Sequence, residues 1–292
     1  MPLTRTVLYT GQTVSIRYVT CRSADQCISD VEYAEGNNLI LPLRGAFIEH
    51  FSRSKRVLAE PNVALLFPAG RPAKVSHPLG GADDCLVMEF ANTIFHEITE
   101  SAGITGVGTH CLLTPSAMAW RNLLLRRIKD GLAGQLEIEE TALAFLDHAV
   151  GNSFGNDVLT PRKSDKAAAH PVEMAKLMLL EHPELKWTLS DLARKVVISP
   201  FHLTRMFHKK VGVPLHRYQV RTRLARAIDL LLNTDHEITT IAFNLGFSSH
   251  SHFTAIFKKA VGLPPRKFRV SATSADAAKI RKILIAGFTR SF

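Results

Sequence analysis

In Ser199-Pro-Phe-His-Leu-Thr-Arg-Met-Phe-His, Phe201, Thr204, Arg205 and His208 recur at i, i+3, i+4 and i+7, so one helix face would carry all four. A guanidinium suits guanine O6 and N7, while a Thr methyl or a Phe ring can touch a thymine methyl. A second stretch places His250, Ser251, Thr254 and Lys258 in a comparable pattern, with Ala255 where the first has Arg205. Arg221, together with Arg217, Arg223 and Arg226 nearby, is a candidate for phosphate contacts. Catalytic patterns are weaker. Ser52-Arg-Ser-Lys55 fits S-x-x-K but lacks the companion S-D-N and K-T-G. His96-Glu97 and His236-Glu237 begin like zinc-protease helices, yet Glu100 and Thr240 stand where the second His is needed. His250 and His252 fall on different faces of a helix and would not share an ion. His77, close to Asp83, Asp84 and Cys85, is either a structural strand-end His or part of an effector pocket. The expectation is therefore no catalytic residue, no cofactor, no metal, and an activity that is not enzymatic.

For those faces to exist, the chain must build two short helix pairs. Leu189 to Val196 predicts a helix burying Leu192, Ala193 and Val196, and Val197-Ile198 turns the chain. Ser199 is a good N-cap and Pro200 suits the first helical position of a second helix packed through Leu203, Met206 and Phe207. The same design recurs. Leu203-Thr-Arg-Met-Phe-His-Lys-Lys-Val-Gly-Val-Pro aligns fifty residues on with Phe253-Thr-Ala-Ile-Phe-Lys-Lys-Ala-Val-Gly-Leu-Pro. Upstream, Asp191-Leu-Ala-Arg-Lys-Val-Val-Ile-Ser aligns with Thr240-Ile-Ala-Phe-Asn-Leu-Gly-Phe-Ser at an offset of 49, so the second turn holds one extra residue. Two copies make a duplicated helix-turn-helix, with His216 to Leu232 as the linking helix.

Charge separates the two halves of the chain. From Lys166 onward there are 21 Lys+Arg against 8 Asp+Glu, whereas the first 165 residues hold 15 against 18. A balance of +13 in the second part points to a polyanion, either nucleic acid or an anionic membrane surface. The turn-and-repeat pattern disfavours the membrane, and no stretch reaches the roughly 18 apolar residues of a span. The first hundred residues read as short strands: Val14–Val19, Asn38–Leu41, Ala46–Phe51, Val63–Phe67, Ala73–Ser76 and Leu86–Phe90, punctuated by Gly, Pro, Asn and Asp. Met118–Ile128 and Leu136–Val150 change to helical periodicity, and Gly151–Ala167 has none. Met1–Tyr9 lacks the apolar core of a secretory signal, and Cys21, Cys27, Cys85 and Cys111 lack C-x-x-C spacing. Reduced thiols in a cytoplasm are expected; a Cys21–Cys27 disulfide is the less favoured alternative.

The two units, the linking Arg221-x-Arg223-Leu-Ala-Arg-Ala and the closing Val261-Gly-Leu-Pro-Pro-Arg-Lys-Phe-Arg resemble the DNA-binding domain of AraC/XylS-type transcription regulators. Gly246-Phe-Ser-Ser-His-Ser-His-Phe-Thr-x-x-Phe-Lys-Lys is close to that family's most recognisable stretch. The resemblance implies recognition helices starting near Ser199 and Ser249, with Phe201, Thr204, Arg205, His250, Ser251 and Thr254 approaching bases. Val197 departs from it, standing where the family more often has a small or polar residue. More loosely, Asn38-Leu-Ile-Leu-Pro-Leu-Arg-Gly, Phe67-Pro-Ala-Gly and Val75-Ser-His-Pro-Leu-Gly-Gly are similar to the cupin-like sensing domain of the same regulators. The H-x-H plus Glu of a metal-holding cupin is missing after Gly45.

The expected fold is α+β and multidomain. Residues 1–151 form an effector-sensing and dimerisation domain, with a cupin-like β-barrel over 1–112 and helices over 113–151. A linker covers 152–169 and a DNA-binding domain 170–271, with helix-turn-helix units at 189–210 and 238–261; residues 272–292 are a tail. The expected function is a cytoplasmic, sequence-specific transcription regulator, activator or repressor. It would be a homodimer controlled by a small-molecule effector, with double-stranded DNA as partner and RNA polymerase as a further candidate. The alternative is a cupin-type enzyme, metal-free or metal-dependent, fused to a DNA-binding domain.

Overall fold

The computed structural model describes residues 3–22, 28–51, 56–80, 82–101, 109–152, 166–272 and 277–287. The Ser52–Lys55 motif, Cys27 and most of the expected linker lie outside them. The chain divides into two compact units, one of residues 1–160 with 270–291 and one of residues 161–269.

In the first unit, the strands are β1 (Leu3–Thr10), β2 (Val14–Arg22), β3 (Glu32–Tyr33), β4 (Asn37–Arg44) and β5 (Phe47–His50). β6 (Arg56–Ala59), β7 (Val63–Phe67), β8 (Pro72–Ser76) and β9 (Ala82–Phe90) follow. After α1 (Asn92–Ser101) and β10 (Thr109–Leu112) come helices α2 (Pro115–Lys129) and α3 (Gln135–Gly151). Among the described residues the strands make two antiparallel sheets, ordered β1-β2-β9-β4-β7-β10 and β3-β8-β5-β6, and no single ring of strands closes into a barrel. Pro42 can sit inside β4 because β7 pairs only with Asn38–Ile40, leaving the proline beyond that ladder. Phe47, Val57 and Ala59 of one sheet pack with Val63, Leu65, Cys85 and Val87 of the other, so the core is the space between sheets. Cys21, Cys85 and Cys111 are buried thiols.

Helix α2 starts on Thr114, whose side chain accepts from the Ala117 amide, with Pro115 in the first turn. It is buried along nearly its whole length, down to Trp120 and Arg121. Part of that cover comes from the end of the chain. Helix α11 (Ala277–Ala286) packs on α2, and Gly287 closes on Ser116 so tightly that no Cβ would fit. Arg281 pairs with Glu140 at 2.5 Å. Arg127 grips both carboxylate oxygens of Glu137 at 3.0 Å and reaches the Ala272 carbonyl at 3.5 Å. Within the stretch expected to be a C-terminal tail (272–292), helix α11 is thus packed into the first unit.

The second unit is helical: α4 (Lys166–Glu181), α5 (Leu189–Lys195), α6 (Pro200–Val211), α7 (Leu215–Asn233), α8 (Ile238–Asn244), α9 (His250–Val261) and α10 (Pro265–Val270). Helix α4 begins four residues before the expected start of the domain at 170. No described helix is long and apolar enough to cross a membrane.

Candidate DNA-binding surface

Each helix pair is built by local capping and turn chemistry. Thr188 caps α5, accepting from the Asp191 amide at 3.1 Å while its hydroxyl donates to the Asp191 carboxylate. That bond holds the Asp191 carboxyl below its usual range, with Arg194 assisting. Helix α5 ends in a Schellman turn: Ile198 N–H donates to Ala193 O at 3.1 Å and Val197 N–H to Arg194 O at 3.2 Å. Forty-nine residues on, Phe247 donates to Ala242 and Gly246 to Phe243, both at 3.0 Å. The residue after the cap must be left-handed, and it is Gly246 at φ 75° in one turn but Val197 at φ 57° in the other.

Helix α6 then starts on Ser199, which accepts from the His202 amide at 3.2 Å, and α9 on Ser249, which accepts from His252 at 3.1 Å. Gly212 and Gly262 end them in the left-handed conformation. Leu203, Phe207 and Val211 bury one face of α6, and the Phe207 ring meets Tyr218 of α7 edge-on at 5.3 Å. Phe253 and Phe257 do the same for α9, in a chain of rings running from Phe247 to Phe268. The recognition faces are therefore held on aromatic cores.

On the outer face of α6, Phe201 is 76% exposed, and Thr204, Arg205 and His208 are also exposed. The Thr204 hydroxyl donates to the Pro200 carbonyl at 3.0 Å, leaving its oxygen lone pair and methyl available. On α9, His250, Ser251 and Lys258 are exposed, whereas Thr254 is half-buried with its hydroxyl oxygen shielded. His252 leans on Ser248, the extra residue of the second turn, at 2.8 Å.

Arg221 requires a correction: it is 5% exposed inside the face of α7 and cannot reach a phosphate. Arg223 does not face a phosphate either. It donates to the carbonyls of Pro183 at 2.7 Å, Leu185 at 2.9 Å and Gly246 at 3.0 Å, pinning the second turn to the loop before α5. Burial lowers its pKa while Glu184 opposes that. Arg217 and Arg226 remain exposed, the latter paired with Asp229 at 3.0 Å. His202 and Lys209, which the sequence reading did not single out, are exposed beside the α6 face.

In the first unit, His77 is 2% exposed, and its Nε2 lies 2.8 Å from Oδ1 of Asp83. Asp84 instead pairs with Arg22 at 2.8 Å, so the two adjacent carboxylates serve different partners.

The Helix-turn-helix domain family matches residues 192–271. The regulatory protein PocR of Salmonella typhimurium is 35% identical over 81 residues, which are 28% of this chain and 27% of PocR. The probable transcription factor PqrA of Proteus vulgaris is 39% identical over 88 residues, which are 30% of this chain and 72% of PqrA. Among solved structures, the C-terminal domain of AraT, a response regulator from Geobacillus stearothermophilus, is 30% identical. That match covers 34% of this chain and 83% of the AraT chain, with a TM-score of 0.33.

Proposed function

The chain belongs to the AraC/XylS-type helix-turn-helix family, and from that premise we propose that it is a sequence-specific transcription regulator of double-stranded DNA. The observation that carries this reading is the pair of capped helices, α6 and α9, each showing a polar, partly cationic outer face over an aromatic core. Arg205 and Thr204 read bases, Phe201 meets a thymine methyl, and His250 and Ser251 make the lesser contacts of the second helix. Lys258, Arg217 and Arg226 meet phosphates. The two helices enter successive major grooves on one face of the duplex, about 34 Å apart. Selection of duplexes from a random pool, followed by footprinting, tests this. A protected segment of roughly two helical turns per monomer is expected; protection of half a turn would overturn simultaneous engagement.

The first unit acts as a cupin-like sensing module whose two-sheet interior, near His77, takes the effector. The chain works in the cytoplasm as a homodimer, with RNA polymerase as a further contact. Most of α2 is covered within its own chain, so the dimer contact falls to the α2–α3 corner, where Leu132 and Leu136 are exposed. Sedimentation at tens of micromolar decides it: a monomeric wild type, or a dimer that Leu136→Glu leaves intact, would exclude this contact.

A further inference from the structure

Cys21, His77 and Asp83 come from separate parts of the sequence, and the fold of the first unit gathers them. In register, Cys21 of β2 sits opposite Asp83 of β9, so their side chains share one face of the six-stranded sheet. After β8 of the other sheet, a turn closes with the Gly80 amide donating to the His77 carbonyl at 3.0 Å, with Gly80 at φ 59°. This brings His77 over Asp83. One donor atom from each residue lies within 4.8 Å of the other two, and all three residues are buried. Nε2 of His77 is 2.8 Å from Oδ1 of Asp83 without an aligned hydrogen bond. Nδ1 of His77 has no hydrogen-bond partner among the described residues, and Oδ1 of Asp83 is met only by that poorly aligned Nε2. Buried imidazole and carboxylate atoms left so are costly to fold around unless something binds them.

We propose that Cys21, His77 and Asp83 form a binding site for a borderline-soft divalent cation of the zinc class. A thiolate, an imidazole and a carboxylate are the three donor types such an ion takes from protein. Bond lengths of about 2.0–2.3 Å place neighbouring donors of a tetrahedral site about 3.3–3.6 Å apart, against donors that lie within 4.8 Å of one another here. Binding replaces the Cys21 thiol proton with the metal, giving a thiolate–metal bond and one released proton. Three protein donors leave a fourth position for water or an anionic group. The site joins β2 and β9 of one sheet to the end of β8 in the other, so an ion there fastens the two sheets together. The H-x-H pattern whose absence argued against metal belongs to another part of the chain, after Gly45. The proposal goes beyond the effector and DNA-binding readings and rests on neither.

The test uses the full-length protein, reduced and freed of metal, titrated with Co2+ as a spectroscopic probe and competed with Zn2+. The expected result is one ion per chain, a near-ultraviolet charge-transfer band with the intensity of a single thiolate, and bleaching of that band by Zn2+. Cys21→Ser should abolish the band and Cys111→Ser, on β10, should leave it. Asp83→Asn should weaken Co2+ binding at least tenfold. No band in the intact chain, a band of two or more thiolates, or a band that survives Cys21→Ser would each overturn the site. If Cys21→Ser fails to fold, stoichiometry and band intensity of the intact chain still decide. Loss of the metal site would leave operator selection untouched, and failure of operator selection would leave the cobalt band, so the two readings fail separately.

Discussion

Arg205 and Ala255 hold equivalent places fifty residues apart, and only one of them has a fork that can make two hydrogen bonds to a guanine. The first recognition helix should therefore discriminate more sharply than the second. Arg205→Ala should cost about 1–3 kcal/mol of preference at one base pair and barely change binding to scrambled duplex in low salt. Lys258→Ala should weaken all sequences alike and reduce the salt slope by about one unit. Titrating selected and scrambled duplexes at several salt concentrations distinguishes them; equal losses on both duplexes for Arg205→Ala would make it a phosphate clamp. A second residue-scale effect sits in the first unit. Glu49 is buried, and burial pushes its pKa from 4.5 to about 7, against Arg71 and with a small push from Glu32. The folded state thus prefers the neutral acid. Its stabilising contribution is complete below about pH 4.5 and is lost as pH rises through about 7. A shift of that size corresponds to about 3–4 kcal/mol at most. Glu49→Gln should flatten the stability of the first unit across this range in chemical denaturation; an unchanged slope would show that Glu49 titrates normally.

Among the elements, the two turns offer an internal experiment. Both make the same Schellman hydrogen bonds, yet one places Val197 and the other Gly246 at positive φ. Val197 is 86% exposed, so its side chain returns no burial for the strained backbone. Val197→Gly should stabilise the second unit by about 1 kcal/mol, after the entropy cost of glycine. Thermal unfolding should shift upward by roughly 4 °C. Gly246→Ala should do the reverse, losing about 2–4 kcal/mol, because a Cβ there would overlap the Glu184 carbonyl as well as strain φ. If the two substitutions shift the melting temperature in the same direction, the turns are not equivalent. The odd residue at Val197 was legible in the sequence as a departure; its cause was not, because handedness shows only in the backbone. Capped helices with apolar stripes, such as α6 and α9, announce themselves locally. β1 did not, since it is an edge strand with most of its side chains exposed and no alternation to read. Helix α1 escaped because only Phe95 and Thr99 are buried in ten residues, and β6 because it has four. Arg221, Arg223 and Arg226 look alike in sequence, and tertiary packing alone sends one inward, one to backbone carbonyls and one to solvent. The Cys21, His77 and Asp83 cluster depends on the register of β2 against β9, which no spacing in the chain reveals.

At the scale of the whole molecule, the chain leaves the first unit, builds the helical unit and comes back to finish the first. The amphipathic α2, which periodicity marks as a surface in need of cover, finds part of that cover in α11 of its own chain. The docking is specific: Gly287 against Ser116, Arg281 with Glu140, and the Ala272 carbonyl under Arg127. Ile280 and Leu284 of α11 are buried there. Each such aliphatic side chain contributes about 1.5–3 kcal/mol when withdrawn from water, a large share of the stability of one domain. Ending the chain at Arg269 should therefore lower the melting transition of the first unit by several kcal/mol and expose the α2 face to self-association. The helical unit is a separate compact unit, and an isolated fragment of residues 166–269 should keep its own transition and its affinity for operator duplex. Calorimetry of the full chain, the truncated chain and the fragment separates the two transitions. A truncated chain whose first-unit transition is unmoved would show that α11 rests on α2 without stabilising it. A fragment that fails to melt cooperatively would show that the helical unit needs the returning segment after all.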